Sequence, residues 1–558
     1  MPKIIIDTKE IEFKPGQTII EAARENGIEI PHFCWHPSLS VSGNCRVCLV
    51  EVEKMPKLVI ACSTLAADGM VVNTRSEKTL SARKAVMEFI LINHPLDCPI
   101  CDEAGECKLQ DYAYSHSIGE SRFVEEKTSN IKRTELGPRI MFDAERCISC
   151  SRCIRFSDEI AKSNQLTFTK RGDRVTISTF PGESFDNPYS MNTVDICPVG
   201  ALTNKDFRFK ARVWEMSATK SICTGCSRGC NIDIWVRNNK ILRLTPRHNE
   251  KVNSYWMCDN GRVNSFKNVN AEDRIDAVYI RKEGFLQPVT WEEGFKEAAA
   301  SLKKYKPNEI AFIGSPYASN EDNFMLAKLA KALGVLNISL IPHTVEGDCD
   351  DILINEDKTP NTKGACLTGI RPNCNGFSLN QLADGIKNKK IKAVYIIEDD
   401  LYSIAVDNER IFAHLELLIV NAVNRNKTTL SADILFPASS FAEKQGTFVN
   451  CDGVVQRIRP AVATRGMDRA LDGMEMSRWD KFGTKFDRWL QGDKIDAKPS
   501  WKILAHIGEF LGLKTKYEMA ENVFSELASV IKEFDKLNYD KIGDEGVRLN
   551  AEKHPAGV

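Results

Sequence analysis

Apolar and polar positions alternate along much of the first 75 residues. Runs at 3–6, 11–13, 47–53, 58–62 and 70–74 read as strands, interrupted by one helix over 18–26 that stops at Gly27. Glycine suits the position after a helix because it enters the left-handed region without strain. From 76 to 115 the period lengthens: Leu80, Val86, Met87, Ile90 and Leu91 keep roughly helical spacing, so the stretch is expected to be helical. The next hundred residues read as loop-rich, with turns at 171–173 and 181–182. After about residue 275, strand-like runs at 310–313, 393–397, 417–420 and 434–436 alternate with amphipathic helices at 291–302 and 323–333. That alternation predicts a parallel α/β sheet covered on both faces. Residues 462–500 are poor in apolar side chains and are expected as a linker or surface extension before a helical segment from Trp501.

Composition narrows the function classes. A chain of 558 residues exceeds one core and divides into several domains. Its net charge is −1 with no long charged run, which removes global electrostatics as a route to nucleic acid. The N-terminus has no apolar signal region, and no apolar run approaches the roughly 20 residues of a membrane span. Membrane contact is therefore expected only through partners. No G-x-G-x-x-G follows a strand, so a dinucleotide is expected to bind elsewhere.

Cysteine usage changes the picture most. Fifteen of the 19 cysteines fall in the first 258 residues, in four sets. These are Cys34, Cys45, Cys48 and Cys62; His94, Cys98, Cys101 and Cys107; Cys147, Cys150, Cys153 and Cys197; and Cys223, Cys226, Cys230 and Cys258. Each offers four ligands, as one [2Fe–2S] or [4Fe–4S] cluster requires. Zinc is the main rival, but the C-x2-C-x2-C of the third set is rarely a zinc pattern. The first set, on loops around one helix and a small sheet, resembles a plant-type [2Fe–2S] ferredoxin with a longer first spacing. Small residues at 42–44 would let backbone N–H groups approach its sulfurs. In the second set three cysteines leave a cubane one ligand short, and His94 supplies the fourth. In the third set the position that would serve a second ferredoxin cluster is Ser157, which leaves remote Cys197 to close the first. Cys349, Cys366, Cys374 and Cys451 lack ligand spacing and read as ordinary thiols. Several redox centres on one chain suggest a route for electrons, with no catalytic residue of its own.

In this order the sets, with the phrase Cys197-Pro198-Val199-Gly200-Ala201-Leu202-Thr203, resemble the G-subunit family of bacterial NADH:quinone oxidoreductase, respiratory complex I. The resemblance implies a multidomain α/β and α+β chain. Its parts would be a β-grasp [2Fe–2S] ferredoxin-like domain (1–78), a [4Fe–4S] segment with one histidine and three cysteine ligands (79–138) and a [4Fe–4S] ferredoxin-like domain (139–218). A third [4Fe–4S] segment (219–275), thought to lie off the main route, precedes a molybdopterin-oxidoreductase-like α/β domain (276–461) and the segment 462–558. Residues 432–437 and 443–453 are similar to the superfamily's segment around the pterin. Asn260 stands where molybdenum members usually carry lysine, and few residues follow 460, so no bound molybdenum is expected. The implied partners are a flavin-bearing NADH-oxidising subunit and hydrophilic quinone-side subunits, with no nucleic acid. The implied location is peripheral, on the cytoplasmic side of the inner membrane. The alternative is the catalytic or electron-input subunit of an NAD-linked molybdenum formate dehydrogenase, against which Ser157 and Asn260 both count. An iron-only hydrogenase fits less well, because the four late cysteines do not form its active-site pattern.

Overall fold

Ile4 and Ile6 are fully buried on one side of the strand Lys3–Ile6, and this alternation organises the first sheet. The computed structural model describes residues 1–117, 119–371, 378–403, 412–481, 484–485, 487–490 and 493–549. It divides into two units, Met1–Trp214 and Glu215–Val558. In the first, five strands stand in the order Lys9–Glu12, Lys3–Ile6, Met70–Asn73, Leu49–Val52 and Val59–Ile60. Lys3–Ile6 and Met70–Asn73 pair parallel, and the other pairs are antiparallel. The sheet clasps helix Ile19–Glu25, whose start is closed by reciprocal bonds between Thr18 and Glu21 and whose end is followed by Gly27 at φ +73°.

The expected helix over 76–115 is two helices, Glu77–Leu91 and Lys108–His116, separated by loops with a single 3-10 turn at Cys98–Ile100. Pro95 and Pro99 remove backbone donors there. Gly105, at φ +91°, lies so close to Trp214 that a Cβ would sit 2.7 Å from its ring. The five apolar positions with helical spacing belong only to the first helix. The rest of this unit is loops, a three-stranded sheet (Leu202–Asn204, Ile140–Phe142, Thr134–Glu135) and a short hairpin, Thr167–Thr169 with Thr176–Ser178.

In the second unit, a seven-stranded sheet runs Phe285–Val289, Val278–Lys282, Ile434–Pro437, Leu417–Ala422, Ala393–Ile397, Ile310–Gly314, Asn337–Leu340. The last five are parallel, as expected. The first two form an antiparallel hairpin on one edge, which makes the sheet mixed. Ala393–Ile397 and Leu417–Ala422 are buried at every position, the signature of strands covered on both faces. Phe312, Tyr395 and Ile419 enter one core, while Ile313, Ile396 and Val420 enter another on the opposite face. Helices Trp291–Leu302, Asn320–Ala332 and Ser500–Phe510 contribute to the first core.

A separate antiparallel sheet joins Lys240–Pro246, Asn231–Arg237 and Ser217–Ile222 to Met474–Glu475. The stretch expected as linker or surface extension therefore supplies a strand. It also buries Arg488, Asp480 and Asp487. Its polar composition reads as solvated, yet Arg488 faces Asp480 at 3.4 Å and Arg469 faces Asp487, so the charges are buried in pairs. Among the described residues no helix is long and apolar enough to cross a membrane.

Candidate metal centres

All cysteines among the described residues are free. Those of the first set hang on the loops around Ile19–Glu25 and on strand ends. Cys45 and Cys62 both lie within hydrogen-bonding reach of Cys34, and Cys62 also reaches Cys48. Cys34 and Cys48 are therefore the thiols held low, Cys34 by hydrogen bonds from the Cys45 and Cys62 thiols and Cys48 by one from Cys62. The backbone N–H of Asn44 also reaches the Cys34 sulfur. The small residue at 43 matters here: Gly43 has φ +65° and a Cβ would meet Ile60 at 3.2 Å.

The third set lines one cavity with Cys147, Cys150, Cys153 and Cys197. Burial pushes the Cys147 thiol up to about 11 and those of Cys153 and Cys197 well above their ordinary value. Such a pocket favours thiolates only if positive charge enters with them. Ser149 (φ 52°) and Ser151 (φ 62°) hold the left-handed conformation in the loop between the cysteines, and Ser149 donates its N–H to the Cys147 sulfur at 3.4 Å. Strained backbone of this kind persists where the surroundings hold it for a purpose. Ser157 is fully buried, shares a 2.8 Å bond with the Ser163 hydroxyl and accepts the Gln165 N–H.

The second set also surrounds a cavity, lined by His94, Cys98, Cys101, Cys107, Arg146 and Gly200 among others. Burial drives the His94 pKa down to about 4, which keeps the imidazole neutral, and Nδ1 is buried with no hydrogen-bond partner. An orphaned buried nitrogen beside three thiols fits a ligand. Cys107 is pushed up to about 12 by burial, whereas Cys98 is exposed.

In the second unit Cys223, Cys226, Cys230 and Cys258 lie close enough to interact electrostatically. Cys223 and Cys230 are joined by a 2.8 Å backbone bond. Gly225 and Gly261 donate N–H groups to the sulfurs of Cys223 and Cys258 at 3.4 and 3.3 Å. A Cβ on Gly261 would lie 2.8 Å from the Cys223 sulfur. Asn260 is exposed. Among the described residues no group of three or more His, Cys, Asp or Glu side chains is arranged to hold a single metal ion. Of the late cysteines, Cys349 is exposed, Cys366 is half-buried and Cys374 lies outside the described residues. Cys451 is half-buried beside Cys226, its N–H bonded to Ser227 O at 2.8 Å.

Side chains that spacing does not reveal link three of the sets. Arg155 donates to the carbonyls of Cys34, Ser40 and Cys150, and Arg152 donates to Trp35 O at 2.6 Å and Ile196 O at 3.1 Å. Asn44 reaches Ser149 O at 3.0 Å, and the hydroxyls of Ser42 and Ser151 are 3.2 Å apart. The loop after Cys197 meets the second set: a Cβ on Gly200 would lie 2.2 Å from the Cys101 sulfur, and the Cys107 thiol lies 3.8 Å from Pro198 O. The first set thus adjoins the third, and the third adjoins the second, an order different from that along the chain.

Candidate ligand sets on a β-grasp domain, on a loop with one histidine and three cysteines and on a ferredoxin-like segment of the first unit, and a doubly covered α/β sheet in the second, are features of an iron–sulfur protein with a molybdopterin-oxidoreductase-type domain. Family models agree. The 2Fe-2S iron-sulfur cluster binding domain matches 3–77, and the NADH-ubiquinone oxidoreductase-G iron-sulfur binding region matches 83–122. The ferredoxin-like domain of NADH-quinone oxidoreductase subunit 3 matches 137–203. The molybdopterin oxidoreductase Fe4S4 domain matches 216–268, and molybdopterin oxidoreductase matches 274–368 and 371–471. The particular protein this chain resembles is the G subunit of NADH-quinone oxidoreductase. That of Rickettsia felis is 44% identical over 340 residues, 61% of this chain and 50% of the relative. The mitochondrial NADH-ubiquinone oxidoreductase 78 kDa subunit of Neurospora crassa is 39% identical over 348 residues, 61% of this chain and 46% of that one. A chain in the solved structure of an NAD+-reducing [NiFe]-hydrogenase is 32% identical, covering 38% of this chain and 91% of that chain, with a TM-score of 0.34. This chain spans about half the length of the curated relatives it matches.

Proposed function

We propose that this chain is an electron-transfer subunit of a respiratory NADH:quinone oxidoreductase. It holds one [2Fe–2S] cluster at Cys34, Cys45, Cys48 and Cys62, and [4Fe–4S] clusters at His94/Cys98/Cys101/Cys107, Cys147/Cys150/Cys153/Cys197 and Cys223/Cys226/Cys230/Cys258, with no molybdenum. Clusters bound there supply one-electron carriers, with no bond-making chemistry. The chain's own side chains bury the ligands, aim backbone N–H groups at the sulfurs and fix the distances between sets.

The observation that carries this reading is the first–third–second order of the sets, held by Arg155, Arg152 and the 197–200 loop. These contacts join the first set to the third and the third to the second, which supports electron transfer between neighbouring sets. The partners are a flavin-bearing NADH-oxidising subunit at the input and hydrophilic quinone-side subunits at the output, with the assembly peripheral on the cytoplasmic face of the inner membrane. The set at 223–258 lies off the main line.

Cysteine-to-serine variants in the assembled complex test the reading. Cys150→Ser should remove one [4Fe–4S] signal and stop NADH-dependent quinone reduction. Cys226→Ser should remove another signal and leave most turnover. Loss of turnover in an assembled Cys226→Ser complex would contradict the off-line assignment.

A further inference from the structure

Arg152 stands between Cys150 and Cys153, at the start of the short helix Arg152–Arg155. It lines the cavity of the third set together with Cys147, Cys150, Cys153 and Cys197. Its guanidinium also reaches the first set. Nη1 donates to the carbonyl of Ile196, the residue before Cys197, at 3.1 Å. Nη2 donates to the carbonyl of Trp35, the residue after Cys34, at 2.6 Å. Nε is buried with no hydrogen-bond partner among the described residues. Carbonyls satisfy the donors but leave the positive charge unbalanced.

The arginines at the other two sets are placed differently. Arg146, which lines the cavity of the second set, faces Asp97 at 3.0 Å and Asp143 at 3.4 Å. Arg228, between Cys226 and Cys230, faces Asp452 at 2.8 Å. Arg152 has no such ion pair among the described residues. Burial lowers its pKa, and the groups that oppose this most are the thiols of Cys150, Cys197, Cys45 and Cys34, two from each set. A cation buried in this way is costly unless an anion accompanies it. The anions within its reach are the cysteine sulfurs of the two sets, which carry negative charge as thiolate ligands.

We propose that Arg152 is the shared counter-cation of the first and third sets and raises the reduction potential of both. The inference rests on the electron-transfer reading and deepens it. Reduction adds one electron, and so one negative charge, at a set, while Arg152 keeps its proton throughout. Its charge therefore favours the reduced form on either side. Because one charge serves both sets, the two potentials rise together, and the difference between them changes less than either.

Redox titration of the full chain carrying its clusters, followed by EPR, tests the proposal. Arg152→Gln removes the charge and keeps N–H donors for the carbonyls. At a fixed potential the reduced-to-oxidised ratio should fall about tenfold at both the first and the third set, a shift of about 59 mV to lower potential. The second set, served by Arg146, should move less. Arg152→Lys keeps the charge without the planar fork, and it should hold both potentials near their original values. Unchanged potentials in Arg152→Gln with both signals present would overturn the proposal. So would a shift at only one of the two sets, or an equal shift in Arg152→Lys. Should Arg152→Gln fail to hold a cluster, Arg152→Lys decides alone: retained potentials support the shared cation, and lowered ones overturn it. Absence of iron from the unmodified chain would instead refute the electron-transfer reading itself.

Discussion

Replacing Gly200 by alanine probes the junction between the second and third sets with a single methyl group. The new Cβ would lie 2.2 Å from the Cys101 sulfur and 3.0 Å from Glu103 Cβ, against the roughly 3.4 Å at which ordinary contact begins. The sulfur must therefore move by about 1.2 Å, or the 197–200 loop must move instead. That shift is about half of a metal–thiolate bond of about 2.3 Å, too large for Cys101 to remain a ligand in place. Overpacking of this kind typically costs about 1–3 kcal/mol, which leaves the chain folded while the ligand geometry fails. If all four sets are filled, the chain binds about 14 iron, and Gly200→Ala should bind about 10. Iron and sulfide analysis of the anaerobically purified variant gives the count. EPR of the reduced protein should retain the [2Fe–2S] signal and lose one [4Fe–4S] signal. A variant with undiminished iron and every signal intact would refute the argument.

Three further substitutions test separate parts of the account. Arg155→Leu leaves the carbonyls of Cys34, Ser40 and Cys150 without their shared donor; it should cost about 1–3 kcal/mol in thermal unfolding, with partial recovery in Arg155→Lys. Lys444→Met strands Asp322 and Glu398 in the core, since both carboxylates lie 2.7 Å from the buried ammonium; a loss of about 3–5 kcal/mol in denaturant unfolding is expected, and an unchanged midpoint would contradict it. The fully buried Glu321 carboxyl is pushed up by burial from 4.5 to about 7. The folded chain then holds a proton that the unfolded chain releases, so this group's contribution falls by up to about 3 kcal/mol as pH rises from about 4.5 to about 7. Glu321→Gln should flatten that part of the stability–pH curve.

What can be read from the sequence follows from how local each feature is. Strand alternation around Ile4 and Ile6, and the Thr18-to-Gly27 helix, depend on near neighbours and are legible as patterns. The helix Trp291–Leu302 matches its expected bounds because Thr290 and Glu293 close its start. The break at Pro95 and Pro99 is obscured by the strong helical spacing before it. Residues 462–500 read as solvated because paired burial of Arg488 with Asp480 leaves the same composition as an exposed loop. Cysteine spacing groups the ligands but carries no information about which groups adjoin. Arg152 and Arg155 join the first and third sets over more than 100 residues of chain, through carbonyls that any residue could supply. The antiparallel edge of the large sheet is likewise invisible, since Val278–Lys282 pairs with Ile434–Pro437 far along the chain.

Anaerobic analysis of iron, sulfide, zinc and molybdenum in the purified chain, paired with EPR of the reduced protein, tests the central claim most directly. The account predicts about 14 iron per chain, one [2Fe–2S] and three [4Fe–4S] signals, and no molybdenum. Stoichiometric molybdenum would instead make the α/β domain an active site, and zinc in place of iron would remove the electron route altogether.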